Sequence, residues 1–116
     1  MTGKVVEILQ YNLKEGTGEA FHQIMQQTSV PLHASHSIEV ILYGNSLHDS
    51  DCYYLIRAFE SEDQMHSVLN DFYAGKDWKD GPREEIVNKI ENSLKSILLL
   101  SQSSIEELKK QNFVKD

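Results

Sequence analysis

The chain is poor in cysteine. Its 116 residues hold one, Cys52, so no internal disulfide can form and the sequence suits a reducing compartment. Prolines number two, Pro31 and Pro82, which leaves long segments free to become helix or strand. No apolar run approaches the roughly 18 residues that cross a bilayer. The first 20 residues lack the apolar core of a signal peptide, because the run 5–9 is short and interrupted by Glu7. The sequence therefore reads as cytoplasmic, with no membrane contact expected. Basic residues are scarce as well: 11 against 18 acids, a net charge of −7, and no basic cluster longer than Lys109 and Lys110. Tracking a phosphate backbone takes a basic face, so nucleic acid is not an expected partner. A glycine-rich phosphate loop is also missing, since Gly16-x-Gly18 lacks a third glycine.

What is present suits one globular domain large enough for its own core. Residues 4–13 are rich in β-branched and aromatic types. Val6, Ile8, Gln10 and Asn12 share one face, and Val5, Glu7, Leu9, Tyr11 and Leu13 share the other. Apolar side chains on both faces predict a strand covered on both sides. Thr17 is placed to cap a helix carrying Phe21, Ile24, Met25 and Thr28; it ends near Val30 and Pro31, because the residue before proline avoids the helical region, or runs on to Leu32 after a kink. Residues 37–44 and 52–59 read as a strand pair joined by a turn rich in Asn, Ser and Asp. Ser61 and Gln64 form a capping box before Met65, Val68, Leu69, Phe72 and Tyr73, a helical stripe. Pro82 suits a helix start, with Ile86, Ile90 and Leu94 following as far as about Asn92. A last strand, 93–100, and a short helix begun by Ser103 or Ser104, with Ile105, Leu108 and Val114 on one side, complete the chain.

The order β-α-β-β-α-(α)-β predicts an α+β, ferredoxin-like fold: a four-stranded antiparallel sheet with helices on one face. The boundaries expected are a domain over 1–102 and an extra C-terminal helical tail over 103–116. The other sheet face would be apolar and too large to leave wet, so a second copy of the chain, a homodimer, is the expected partner.

Candidate chemistry is spread along the chain. His22 offers a general base at a pocket edge, weighed against a half-exposed surface histidine. His33, His36 and His48 could in principle meet around a metal, but without a well-placed carboxylate or cysteine no metal and no cofactor are expected. Arg57 falls in mid-strand between Ile56 and Ala58; buried there, it needs Glu7 or an anionic ligand. Trp78, Phe72 and Tyr73 read either as core aromatics or as the apolar lining of a ligand pocket, with Tyr11 or Tyr54 supplying a hydroxyl. Arg83, a cation at a helix start, sits against the helix dipole and is placed either to bind an anionic group or to pair with Asp77, Asp80 or Glu84.

Three stretches together resemble a known family. Glu7-Ile-Leu-Gln-Tyr11-Asn-Leu13-Lys-Glu-Gly16 resembles the opening of NIPSNAP-type domains, which run Glu-x-Arg-x-Tyr-x-Leu-x-x-Gly; Leu9 departs from it. Ser46-Leu-His-Asp49 with Asp51, then Tyr53-Tyr-Leu-Ile-Arg57-Ala58, resembles bacterial members, as does Phe72-Tyr73 followed by Asp77-Trp78-Lys-Asp-Gly81-Pro82-Arg83-Glu84. The resemblance covers about residues 4–100. It implies a dimeric α/β barrel in the superfamily of the small antibiotic-biosynthesis monooxygenases and the haem-degrading oxygenases. It does not imply a reaction. Gly81-Pro82-Arg83 stands where a haem-degrading relative is expected to carry its histidine, so haem degradation is not expected. The functional expectation is a cofactor-independent monooxygenase or isomerase acting on a small aromatic or polyketide-like molecule, with His22 and Tyr54 as catalytic candidates and Tyr11, Arg57, Phe72, Trp78 and Arg83 as ligand contacts. The alternative is a non-catalytic ligand-binding or interaction module.

Overall fold

The computed structural model describes residues 3–111. Along the chain lie β1 (Gly3–Leu13), α1 (Gly18–Ile24), a π-helical stretch (Met25–Ser29), α2 (Val30–Ser35), β2 (Glu39–Asn45), β3 (Cys52–Phe59), α3 (Glu62–Ala74), α4 (Lys76–Asp80), α5 (Arg83–Val87), β4 (Ile90–Ser101) and α6 (Gln102–Lys109). The strands form one antiparallel sheet in the order β2-β3-β1-β4. This is the α+β, ferredoxin-like arrangement expected from the element order. In the single chain the sheet is open, not a closed barrel.

β1 lies inside the sheet, and both of its faces are buried. Val5, Leu9 and Leu13 pack with Phe21, Met25, Met65, Leu69 and Phe72 beneath the helices. Val6 packs on the opposite face with Ile41, Ala58 and the fully buried Ile105 of α6. The terminal helix therefore covers part of the face that sequence reasoning had assigned wholly to a second copy. Its seat is fixed by charge as well: Glu39 of β2 lies 2.8 Å from Lys109 Nζ of α6 and 3.2 Å from Lys4 Nζ of β1. Val114, expected on the same helix side, lies outside the described residues.

Several boundaries differ from expectation for identifiable reasons. The first helix does not stop at Pro31 but continues to Ser35. A proline ring would collide with the carbonyl four residues earlier in a regular helix; the wider π-helical turn over Met25–Ser29 gives that ring room. Thr17 makes no side-chain cap. Asp51, at the end of the β2–β3 loop, takes that role: its two oxygens accept from Gly16 N and Gly18 N, each at 2.9 Å. The Ser61 cap forms as expected, accepting from Gln64 N at 3.0 Å, while Gln64 reaches back to Glu60 N instead of Ser61 N. The helix expected from Pro82 to Asn92 is only Arg83–Val87. Ile90 and Leu94 belong to β4, which pairs along nearly the whole length of β1 and so gains more backbone bonds than another helical turn would supply. Ser101, not Ser103 or Ser104, caps α6 by accepting from Ser104 N.

Within the main core the β1–β3 register sets Glu7 directly opposite Arg57. Arg57 Nε donates to Glu7 Oε1 at 2.7 Å, and Nη2 lies 2.5 Å from the same oxygen. Neither side chain exceeds 2% exposure. Taking charges out of water costs several kcal/mol per ion, so this pair holds only while both partners are present.

Two stability predictions arise from these contacts. Arg57→Ala leaves Glu7 uncompensated and should lower stability by about 3–5 kcal/mol, while the double replacement of Glu7 and Arg57 by leucines should recover much of that loss in urea melts. Gly18→Ala places a β-carbon 1.9 Å from the Ser50 carbonyl oxygen and should lower stability by about 3 kcal/mol, the upper end for overpacking. Gly3→Ala, whose β-carbon meets only an ordinary contact at 3.5 Å, should leave the urea midpoint nearly unchanged.

Candidate functional site

A cleft of about 420 Å³ opens beside the buried pair. Strand alternation supplies its floor: Glu7, Leu9 and Tyr11 from β1, Arg57 from β3, Ser93 and Lys95 from β4. Register aligns these side chains, with Leu9 opposite Lys95 and Tyr11 opposite Ser93. His66, Leu69, Asn70 and Tyr73 form the other wall, spaced along one flank of α3. The cleft exists because the helices cover the sheet's inner strands and leave β4 bare. Ile97 and Leu99, on the same face as Glu7 and Val5, are 40% and 72% exposed.

Arg57 is held on every side. Besides Glu7, its Nη1 donates to Tyr73 Oη at 2.7 Å and lies 3.0 Å from His33 Nε2. The other imidazole nitrogen, Nδ1, lies 2.7 Å from the Ser29 carbonyl. A carbonyl only accepts, so Nδ1 carries the proton and Nε2 takes the hydrogen bond from Arg57. His33 is therefore neutral. Burial lowers its pKa to about 4, with the neighbouring guanidinium pushing in the same direction. The relay Ser29–His33–Arg57–Glu7 thus links α2 to both inner strands and holds the guanidinium in place.

One atom in this assembly is not satisfied. Glu7 Oε2 is buried and has no hydrogen-bond partner. Lys95 Nζ stands 3.4 Å away; it supplies opposite charge but no hydrogen bond, and its side chain is half exposed. A buried polar oxygen left without a donor costs about 1–3 kcal/mol, so its position at a cleft floor is chemically suggestive. Nearby Tyr11 is kept protonated, because burial raises its hydroxyl well above the ordinary range. It serves as a donor, not as a base.

The structure brings Glu7, Tyr11, Arg57 and Tyr73 together in the cleft and disperses the other residues singled out from sequence. His22 sits on α1, its Nδ1 2.6 Å from Tyr53 Oη and its ring beside Tyr43. Tyr54 points to the opposite face of the sheet, toward a hollow with Leu42, Asn45 and Leu47. The Tyr54 ring stacks on that of Tyr53, the partner of His22, with centroids 6.4 Å apart. Phe72 and Trp78 are core: their rings lie 5.7 Å apart, and Trp78 is 7% exposed. Trp78 reaches the cleft only through Tyr73, with ring centroids 5.0 Å apart. Arg83 is exposed at the start of α5 and makes no ion pair among the described residues.

The three histidines weighed for a metal diverge. His33 is buried on Arg57, His36 pairs with Asp77 at 3.0 Å, and His48 bonds Ser46. No group of three metal-ligating side chains is gathered among the described residues. Sequence reasoning weighed His33 only as a metal ligand and Tyr73 only as an apolar ring, and it did not single out Lys95. Lys95 could have been found by alternation along β4, which places it beside Leu9. For His33 the sequence carried no signal, since an imidazole on a helix end looks the same whether it turns inward or out.

Comparison with known proteins places the fold. Neither a family model nor a curated protein sequence matches the chain. Solved structures do. A NIPSNAP family protein from Agrobacterium tumefaciens superposes with a TM-score of 0.80 at 16% identity, over 91% of this chain and 93% of that one. A second NIPSNAP family protein from the same organism, of unknown function, gives 0.76 at 23% identity over 84% and 88%. A "putative antibiotic biosynthesis monooxygenase" from Nitrosomonas europaea gives 0.59 at 11% identity over 84% and 96%. The chain has the NIPSNAP-type fold, within the wider architecture shared with the antibiotic-biosynthesis monooxygenases.

Proposed function

We propose that this chain is a small-molecule-binding domain whose ligand occupies the cleft between α3 and the β1–β4 edge of the sheet. The observation that carries the reading is Glu7 Oε2, a buried acceptor at the cleft floor without a donor. Small-molecule sites typically combine an apolar wall with a few convergent polar groups, and Leu9, Leu69 and the rings of Tyr11 and Tyr73 supply that wall here. Arg57 and Lys95 both lie within ion-pair range of the Glu7 carboxylate.

The second reading is a cofactor-independent monooxygenase or isomerase acting on a small aromatic or polyketide-like molecule. It is favoured by the pairing of an acceptor, Glu7, with a protonated donor, Tyr11, on one cleft, since a base and an acid on the same substrate are the elements of proton-transfer catalysis. The likeness to the Nitrosomonas protein supports it at the level of fold.

Assembly is part of the proposal. β4 is a 12-residue strand at the sheet edge, and Leu94, 68% exposed, adds to Ile97 and Leu99 along it. A long apolar edge with unpaired backbone invites pairing, so we infer a homodimer formed through β4 and the part of the sheet that α6 leaves uncovered.

Light scattering at micromolar concentration should return the mass of two chains, and Leu94→Asp with Leu99→Asp should return one; a single-chain mass for the unaltered protein would sink the dimer. Small hydroxylated aromatics should bind saturably and change the fluorescence of Trp78 through Tyr73, and the ligand should be recovered unchanged. Oxygen uptake or substrate loss that disappears in Glu7→Gln would replace the binding reading with the enzymatic one. Absence of saturable binding across such a panel would remove both.

A further inference from the structure

We infer that the cleft selects a single-ring hydroxylated organic acid, its hydroxyl donating to Glu7 Oε2 and its carboxylate pairing with Lys95. This rests on the small-molecule reading of the cleft and adds the chemistry of the ligand.

The argument begins with what Glu7 Oε2 can accept. The oxygen is fully buried and lacks a donor, whereas Oε1 already receives Nε and lies within contact of Nη2 of Arg57. A ligand donor is the missing partner, and either a hydroxyl or an ammonium could supply one. Charge decides between them. The carboxylate is flanked by Arg57 on one side and by Lys95 at 3.4 Å on the other, so an ammonium arriving at Oε2 would meet two cations at close range. Like charges placed together in a partly buried site are unfavourable. A neutral hydroxyl meets no such opposition.

The second half of the ligand follows from Lys95. Among the described residues, Glu7 is the carboxylate within ion-pair range of Lys95. When a ligand hydroxyl takes up Oε2, the Lys95 ammonium is left at the cleft wall, half exposed on a flexible stem. An anionic group on the ligand restores its pairing, and a carboxylate does so with charge-assisted hydrogen bonds. Around these two groups the cleft is walled by Leu9, Leu69 and the rings of Tyr11 and Tyr73, an apolar surface that suits one aromatic ring. The volume of about 420 Å³ lies near the lower end of ordinary ligand pockets, in keeping with a ligand of that size.

The test uses four probes on the intact chain: 4-hydroxybenzoate, benzoate, 4-hydroxybenzyl alcohol and tyramine. Binding is followed by amide shifts of Leu69 and Tyr73 in heteronuclear NMR titrations. The expected order places 4-hydroxybenzoate first, with benzoate and the neutral alcohol each about tenfold weaker, as loss of one hydrogen bond to a charged group would give. Tyramine should be weakest. Lys95→Met, at a half-exposed position, should reduce affinity for 4-hydroxybenzoate about tenfold and leave 4-hydroxybenzyl alcohol unchanged. Glu7→Gln should bring 4-hydroxybenzoate down to the level of benzoate; should that variant not fold, the probe series and Lys95→Met decide. Tyramine or benzoate binding as tightly as 4-hydroxybenzoate, or Lys95→Met affecting acid and alcohol alike, would overturn the ligand class and leave the cleft as a binding site. No shift at Leu69 or Tyr73 with any probe would overturn the cleft reading as well.

Discussion

A carboxylate and a guanidinium removed from water set the terms for this fold. Glu7 and Arg57 face each other across the inner strand pair with almost no exposure, and the low-dielectric interior makes each intolerant of losing the other. The surrounding structure serves that need. β1 and β3 must keep their register, because a slip of one residue would turn both side chains to the opposite face. α2 must reach far enough to deliver His33, and α3 must turn Tyr73 inward, since both bond Nη1. The π-helical turn before Pro31 is part of the same solution. It carries the helix past a proline that would otherwise end it, and so brings His33 to the guanidinium.

Most of the fold was legible from residues whose pattern has one reading. β3 was readable from its β-branched and aromatic run, and α3 from the stripe Met65–Val68–Leu69–Phe72–Tyr73 and the Ser61 cap. Arg57 in mid-strand pointed to Glu7, because a cation between Ile56 and Ala58 has few other places to find a carboxylate. Where sequence reasoning failed, two local preferences competed and a distant contact decided. Ile86, Ile90 and Leu94 fit a helical period as well as a strand, and the long partner surface of β1 decided for strand after Val87. Thr17 looked like a cap, but Asp51, remote in sequence, reached the same backbone groups with a carboxylate. For the site the limit was different in kind. Trp78, the chain's one tryptophan, stands out in sequence, yet its ring packs on Phe72 and Tyr73. Lys95, an ordinary lysine in sequence, stands beside a buried carboxylate oxygen of Glu7 that lacks a donor. That neighbourhood is a relation between strands, and no single stretch of chain displays it.

The uneven cover of the sheet is the feature from which the site and the proposed assembly both arise. Helices α1 to α5 pack over the inner strands, and α6 packs on the reverse face around Ile105. Neither layer reaches the outer side of β4. A complete layer would bury Ile97 and Leu99 and stabilise the monomer, but it would also fill the space between Lys95 and α3. An incomplete layer leaves a cleft whose floor is rigid, because the relay through Arg57 holds it, and whose outer wall is a single edge strand. The two properties belong together: the floor can present an unsatisfied oxygen in a fixed position only because its remaining hydrogen bonds are made inside the core, away from the opening. On the proposed binding reading such a site is organised before any ligand arrives, so binding spends little on ordering the protein. The proposed dimer acts on the same edge. A second copy against β4 would cover the apolar side chains that the helices miss and stiffen the wall that carries Ser93 and Lys95. Assembly and ligand affinity would then be linked through one strand, with the buried pair as the fixed point against which that strand is set.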